Sequence, residues 1–341
     1  MVLIGPHRLP PMPSNTEPLD TGASARPVRH LVATEATMAA GGLDGWQQRY
    51  QQLTPGRFLA EVQQATYGDV HVFREQTNQA LLEEGEARRG YLSIALPHRE
   101  CQDGWFAGYR MSGDTVLQAG NGKPLAMRTP PGLDLLGVTL PLPALERVLE
   151  REGEAGLLMR LQPATEVRRA ASEEFRAAML AVLAAAAVQS DLFNQRFVES
   201  AMRDALLMAV VSTLAHDSGD ALLPTPPARR RLVAQAYEMV RAAPEAPWSV
   251  LALCERLGVS RRTLQYSFNE VTGLAPLEFV RAVRMNGVRQ ALRGRQAAEL
   301  EGVGAVAARW GFTHLPRFAA QYRAFFGELP SVTVSKSTLK A

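Results

Sequence analysis

The chain has 341 residues, of which 46% are apolar and 21% charged, the balance of a soluble protein of about two domains. Two cysteines, Cys101 and Cys254, exclude a disulfide framework and a cysteine-based zinc site, and point to a reducing cytoplasm. The net charge of +3 conceals an asymmetry: residues 229–341 carry 17 Lys and Arg against 8 Asp and Glu, a balance of +9, and the remainder is at −6. A basic C-terminal third on an acidic body fits one domain that meets phosphates and one that does not. The apolar run 177–188 is too short to span a bilayer, and the first 13 residues hold no signal-length apolar stretch, so no membrane partner is expected.

Residues 1–42, rich in Pro, Gly, Ser and Thr without sustained period, read as a disordered tail. Residues 45–58 read as a short helix or extended lead-in with a turn at Pro55-Gly56. Short stretches with alternating apolar residues then follow at 58–67, 70–77, 87–97, 104–111, 114–120, 124–130 and 133–141, punctuated by Gly, Pro, Asn and Asp. That spacing predicts a β barrel or sandwich whose interior holds a ligand cavity, with Asn121-Gly122 as a hairpin turn. Trp105, Phe106 and Tyr109 are candidate cavity residues, with core packing the competing role.

After Pro143 the period becomes helical. A short helix, ALERVLEREG, precedes two long ones at 166–189 and 190–216, each with an apolar face that covers a sheet or meets a second subunit. Dimerisation through part of that face is expected. Domains are expected at 43–220 (effector sensing and dimerisation) and 229–331 (DNA binding), with a Pro-rich linker at 221–228 and a tail at 332–341.

In the C-terminal unit, Leu232, Ala236, Met239 and Val240 mark one apolar helical face. Two helix–turn–helix patterns follow. The first, at 248–273, has Leu251, Leu253, Cys254 and Leu257, then Gly258, the cap Ser260, and Leu264, Phe268 and Val271. The second, at 303–331, has Val303, Val306, Ala307 and Trp310, then Gly311, the cap Thr313, and Phe318, Tyr322, Phe325 and Phe326. Glycine leaves a helix with positive φ, and a hydroxyl caps the next one. Between them, residues 275–295 predict one continuous helix with Leu277, Val280, Val283, Val288 and Leu292 on its apolar side, which fixes the spacing of the two recognition helices. Arg281, Arg284, Arg289, Arg293 and Arg295 on or after it are read mainly as a solvated face.

A short turn between two helices presents the second helix to the major groove of double-stranded DNA. On the first recognition helix, Arg261 and Arg262 suit guanine and Gln265 suits adenine; Tyr266 lies beside them. On the second, Thr313, His314, Arg317 and Ala320 occupy the start, and Arg317 is its best base or phosphate contact. The first motif therefore carries more sequence information and the second more positioning. No Gly-rich phosphate loop, metal cluster or nucleophile elbow occurs in the sequence, which argues against an enzyme.

Residues 229–331 resemble the DNA-binding domain of the AraC/XylS family of bacterial transcription regulators. The resemblance rests on Leu257-Gly258-Val259-Ser260, Arg262, Leu264-Gln265, Phe268, Gly273, Pro276 and Arg284-Met285-Asn286. In the second motif it rests on Val306-Ala307, Trp310-Gly311-Phe312, Phe318, Tyr322, Phe325-Phe326-Gly327 and Pro330-Ser331. Tyr322-Arg323 stands where the family usually has Phe-Lys. The resemblance implies that Arg261, Arg262, Gln265 and Tyr266 face the groove, and the cap Ser260 is counted with them in the DNA-binding set. It also implies a cytoplasmic homodimer and activator that contacts RNA polymerase, with a cupin-like barrel sensor in an α+β chain.

A narrower resemblance links Trp46-Gln47-Gln48, Tyr50, Leu53, Pro55-Gly56, Phe58 and Val72-Phe73-Arg74-Glu75 to regulators of ethanolamine-utilisation operons. It implies ethanolamine with adenosylcobalamin as effectors, although Asp69-Val70-His71 lacks the glycine of the cobalt-ligand motif, Arg74 standing in its place. No other cofactor is expected. The alternatives are a regulator answering another metabolite and a non-sensing architectural DNA-binding protein.

Overall fold

The computed structural model of the chain describes residues 28–99, 101, 103–120, 122, 124–154, 166–169, 173–188, 196–215 and 227–338. Two antiparallel sheets face each other. The larger runs in the order β1 (Val28–Ala33), β3 (Ala60–Tyr67), β4 (Val70–Thr77), β11 (Leu133–Pro141), β6 (Tyr91–Pro97), β9 (Thr115–Gly120) and β12 (Glu166–Arg169). The smaller runs β2 (Gln47–Gln52), β5 (Leu81–Glu86), β10 (Pro124–Arg128), β7 (Trp105–Phe106) and β8 (Tyr109–Arg110).

Alternation along each strand sorts the side chains into layers. In β4, Val70 and Val72 join Ile94, Leu96, Leu136 and Val138 on the outer face of the large sheet. That face is covered by α2 (Leu142–Arg151), α3 (Glu173–Val188) and α4 (Arg196–Ala215), through Phe175, Met179, Leu206, Leu207 and Val210. Phe73, Ala95, Leu117 and Leu135 point the other way and meet Phe106, Leu125 and Met127 of the small sheet. The outer face of the small sheet, with Leu82, packs on Val233, Tyr237 and Phe279 of the helical domain. The order of layers is helices, sheet, sheet, helical domain.

Several expectations are corrected. The two sheets do not close into a barrel. Part of the supposed tail is ordered: β1 pairs with β3 from Val28↔Ala65 to Ala33↔Ala60, and α1 (Ala36–Ala39) follows it. β5 escapes a period reading because Leu81 and Leu82 are adjacent and two Glu follow. The turn expected at Asn121-Gly122 falls on Asn121, which lies outside the described residues; the flanking strands β9 and β10 belong to different sheets. Residues 166–169 are strand rather than helix because they pair with β9. The apolar faces of α3 and α4 cover the chain's own sheet. The linker expected at 221–228 falls on undescribed residues up to 226, and α5 (Pro227–Ala242) begins just after them.

The helical domain continues with α6 (Val250–Leu257), α7 (Arg261–Thr272), α8 (Pro276–Arg293), α9 (Arg295–Arg309), α10 (Leu315–Phe326) and α11 (Pro330–Thr338). The expected tail from residue 332 thus continues as helix. Joining helix α8 serves two cores at once. Phe279, Val280 and Val283 pack with Leu253, Leu264 and Phe268, whereas Ala282, Met285, Val288 and Leu292 pack with Val306, Phe318, Tyr322 and Phe326. Gly287 lets the Trp310 ring lie against α8: a Cβ there would come within 2.1 Å of it. Leu251 and Leu277, expected on apolar faces, are 67% and 41% exposed.

Candidate DNA-binding site

Both helix–turn–helix units form from local capping chemistry. Ser249 Oγ accepts from Ala252 N at 3.0 Å to start α6, and Gly258 ends it at φ 65°. Ser260 Oγ then accepts from Thr263 N at 3.1 Å, so α7 begins three residues after the glycine. In the second unit Gly302, at φ 75° and ψ 163°, breaks α9 and sets where the positioning helix begins. Gly311 turns the chain at φ 80°.

The cap of α10 is not the expected Thr313. His314 Nδ1 accepts from Arg317 N at 3.1 Å, and Thr313 stands one residue outside the cap. Proline at the second helical position needs no amide partner, and the imidazole supplies the acceptor that the next free N–H requires.

The structure leaves the expected reading residues in solvent. Ser260, Arg261, Arg262, Gln265 and Tyr266 on the first unit are all exposed, while Leu264 and Phe268 on the other side of α7 are buried. Thr313, His314, Arg317 and Ala320 are exposed on the second, opposite Phe318 and Tyr322. Ser260 and His314 are committed to capping. Among these residues the free donors are then Arg261, Arg262, Gln265 and Tyr266 in the first unit and Thr313 and Arg317 in the second. The Arg262 guanidinium lies 5.6 Å from the Tyr266 ring centre, a contact that orders a long side chain before any DNA arrives. Arg256 stacks similarly at 4.6 Å on Trp248.

The arginines of α8 do not form the expected solvated face. Arg284 donates to Pro244 O at 2.7 Å and Ala246 O at 2.6 Å, tying α8 to the segment before α6. Arg289 lies 3.1 Å from Glu328 and 3.3 Å from Glu35, with its guanidinium over the Phe326 ring. Arg293 also pairs with Glu35. Arg281 is exposed, and the side chain of Arg295 lies outside the described residues. Sequence period finds the helix, but Glu35 comes from a segment with no period at all.

The domains meet through both side chains and main-chain atoms of the N-terminal one. Asn286 pairs with both backbone groups of Gln52 on the edge strand β2. Gln52 Nε2 and Gly56 N both donate to Phe325 O at 3.0 Å, at the end of α10. Gln51 bonds to the Tyr237 hydroxyl and Arg230 to Ala107 O. Between the small sheet and α5 and α8 lies a cavity of about 110 Å³ lined by Glu84, Trp105, Arg128, Arg230, Tyr237 and Phe279.

A second cavity, of about 40 Å³, sits between the two sheets. Its walls are mostly apolar, with Phe73, Phe106, Leu117 and Met127, but Glu75 of β4 and Glu83 of β5 project into it from opposite sheets. Both carboxyls are buried, at 1% and 0% exposure. Tyr50 Oη lies 3.3 Å from Glu75 Oε2; the other Glu75 oxygen and both Glu83 oxygens have no hydrogen-bond partner. Burial pushes both carboxyls above the ordinary carboxylate range, and the charge of Glu75 pushes Glu83 further. Sequence reading missed this pair; the available signal was Glu75 two residues after Phe73, on the same face of a strand. Of the candidate cavity residues, Phe106 lines this space and Trp105 the interdomain one, while Tyr109 packs beside the inter-sheet core.

Comparison with known proteins agrees with the geometry. Residues 253–336 match a family described as a helix-turn-helix domain. The chain is 33% identical over 134 residues to the probable thc operon regulatory protein of Rhodococcus erythropolis, covering 39% of this chain and 40% of that one. It is 37% identical over 92 residues to the XylDLEGF operon transcriptional activator 2 of Pseudomonas putida, covering 27% and 58%. Less than two thirds of either relative is therefore spanned. A solved probable AraC family transcriptional regulator from Rhodopseudomonas palustris CGA009 is 31% identical, covering 31% of this chain and 97% of that one, with a TM-score of 0.29. Over residues 253–336 the chain thus carries a helix-turn-helix domain, in the third of its length that is similar to these operon regulators.

Proposed function

We propose that the protein is a sequence-specific DNA-binding transcription regulator that answers a small-molecule effector, rather than an enzyme. The observation that carries this reading is the exposure of Arg261, Arg262, Gln265 and Tyr266 on α7, and of Arg317 on α10, while the opposite sides of both helices are buried in cores that share α8. Each recognition helix enters one major groove, and α8 sets the distance between them. We further propose that it is a homodimeric activator in contact with RNA polymerase; the names of the relatives, an operon regulatory protein and an operon transcriptional activator, support the regulatory part of that reading alone.

The narrower resemblance offers ethanolamine and adenosylcobalamin as effectors, while the curated relatives are named for thc and xyl operons. The described residues do not fit adenosylcobalamin. The cavities of about 40 and 110 Å³ are far smaller than a corrinoid, and His71 is half-buried with Nδ1 3.1 Å from Thr66 Oγ1. We infer that the effector is a smaller metabolite, a reading that the size of these two cavities supports.

The test is a gel-shift and footprinting survey of the full chain on genomic fragments at moderate salt. A protected site with two contacts about one helical turn apart is expected. Equal binding to all fragments would leave an architectural protein and sink the proposal.

A further inference from the structure

We propose that the cavity between the two sheets is the effector site and that it holds a small organic ammonium ion between Glu75 and Glu83. The proposal rests on the effector-responsive reading above and names the chemistry of the effector.

Three of the four carboxyl oxygens here complete no hydrogen bond, although the Tyr50 hydroxyl lies close to both acids, inside a space walled mainly by hydrocarbon. Burying a carboxyl without a partner costs free energy, and burying two side by side costs more. A cationic guest removes that cost. An ammonium group offers three donors, which matches the three unpartnered oxygens; Gln48 and Ser93 also line the space. Phe106, Leu117 and Met127 provide apolar contact for a short carbon chain. An anion would meet two acids and no Arg, Lys or His in the lining.

Size and ligand count restrict the guest further. A buried water needs at least about 10–15 Å³ of such space, so a cavity of about 40 Å³ holds about three waters, or an amine of three or four heavy atoms. A hard metal cation calls for about six or more oxygen ligands. Among the described residues no group of three or more His, Cys, Asp or Glu could hold a metal ion. The apolar walls select the organic ion.

The site is also placed to report its occupancy. Glu83 and Glu84 are consecutive on β5, so they project from opposite faces of the small sheet. Glu83 lines the inter-sheet cavity, and Glu84 lines the interdomain cavity with Arg128, Arg230 and Tyr237. A guest that draws Glu83 inward moves the strand against which the DNA-binding domain rests.

The experiment uses the full chain in phosphate buffer, free of amine buffers, at pH 7.5. Thermal shift and calorimetry are run with methylammonium, ethylammonium and n-propylammonium chloride, with ethanol, propionate and KCl as controls. A rise in Tm with at least one alkylammonium, absent with all three controls, is expected. Glu83→Gln and Glu75→Gln each raise its Kd tenfold or more while their ligand-free Tm stays equal or increases. Three results each overturn the proposal: no shift with any alkylammonium, an equal shift with KCl or ethanol, or binding that survives both substitutions. Gel shifts run alongside separate the two readings. Specific DNA binding without amine binding refutes the ammonium site alone; amine binding without specific DNA binding refutes the regulator and leaves the site.

Discussion

Asn286, in the helix that joins the two DNA-binding units, directs one donor and one acceptor of its side-chain amide to a single backbone position of the other domain, while Nδ2 also donates to Ala282 O within the helix. Its Nδ2 donates to Gln52 O at 2.8 Å, and its Oδ1 accepts from Gln52 N at 3.2 Å. A carboxamide presents a donor and an acceptor side by side, like the next strand of a sheet, and β2 is the edge strand that offers the complementary pair. Asn286→Ala removes both partners from groups that stay shielded from water. Chemical denaturation should show a loss of about 1–3 kcal/mol. An unchanged midpoint would show that the two groups find water instead.

Glu35 should matter as much, from a segment without regular period. It is 6% exposed and meets Arg289 and Arg293 of α8. Glu35→Gln leaves two guanidinium groups short of a counter-charge, although Glu328 still serves Arg289. The expected cost lies at the lower end of the about 3–5 kcal/mol typical of breaking a buried ion pair. Glu35→Gln combined with Asn286→Ala, measured as a double-mutant cycle, would show whether the two contacts hold the domains together as a unit.

Base reading should concentrate in α7. Arg262→Ala is expected to relax the preference at one operator position by about 1–3 kcal/mol, the scale of one bidentate base contact. Arg317→Ala should weaken all sites alike and reduce the salt dependence of binding, as expected of a phosphate contact. Binding-site selection with each variant, repeated at two salt concentrations, would expose a reversal of these roles.

The buried acids predict a pH signature of their own. The ionisable groups facing one another here are Tyr50 of β2, Glu75 of β4 and Glu83 of β5; the rest of the lining is neutral. Burial pushes Glu75 up to about 7 and Glu83 also upward. A carboxyl whose folded pKa is raised contributes stability that is complete below its unfolded value and lost as pH rises through the folded one. The ligand-free protein should therefore lose stability between about pH 4.5 and 7 relative to the Glu75→Gln/Glu83→Gln double variant. Urea denaturation across that range would reveal parallel profiles if the two acids were paired instead with an internal cation.

Gly287→Ala tests the second core. The added methyl would meet the Trp310 ring, and a crowded core costs about 1–3 kcal/mol, more than the roughly 1 kcal/mol that alanine gains in a helix. A net loss of thermal stability is expected. Equal stability would mean that Trp310 swings aside.

The recognition units were legible because their signals are local. Gly258, Ser260 and Gly311 mark turns within a few residues of the helices they separate, and the 3.6-residue period of Leu264 and Phe268 survives in the folded core. The sheet strands were legible where one face is buried, as in β4. What escaped depends on distant partners. β1 is strand because β3 lies beside it, the arginines of α8 are structural because Glu35, Glu328, Pro244 and Ala246 come to them, and Glu83 is buried because the large sheet, with Phe73 and Leu117, lies over it. The missed cap at His314 has a different cause: Leu315 and Pro316 start the helix one residue later than hydroxyl preference suggests.

Much of the grip between the domains is on main-chain atoms of the sensor: Gln52 N and O, Gly56 N and Ala107 O. Peptide groups are the same whatever side chains accompany them. The helical domain can therefore remain unchanged while the side chains of β2 and of the cavity between the sheets vary. Chimaeras that keep an open β2 edge and Asn286 should join a foreign sensor to this reader without redesign of the seam.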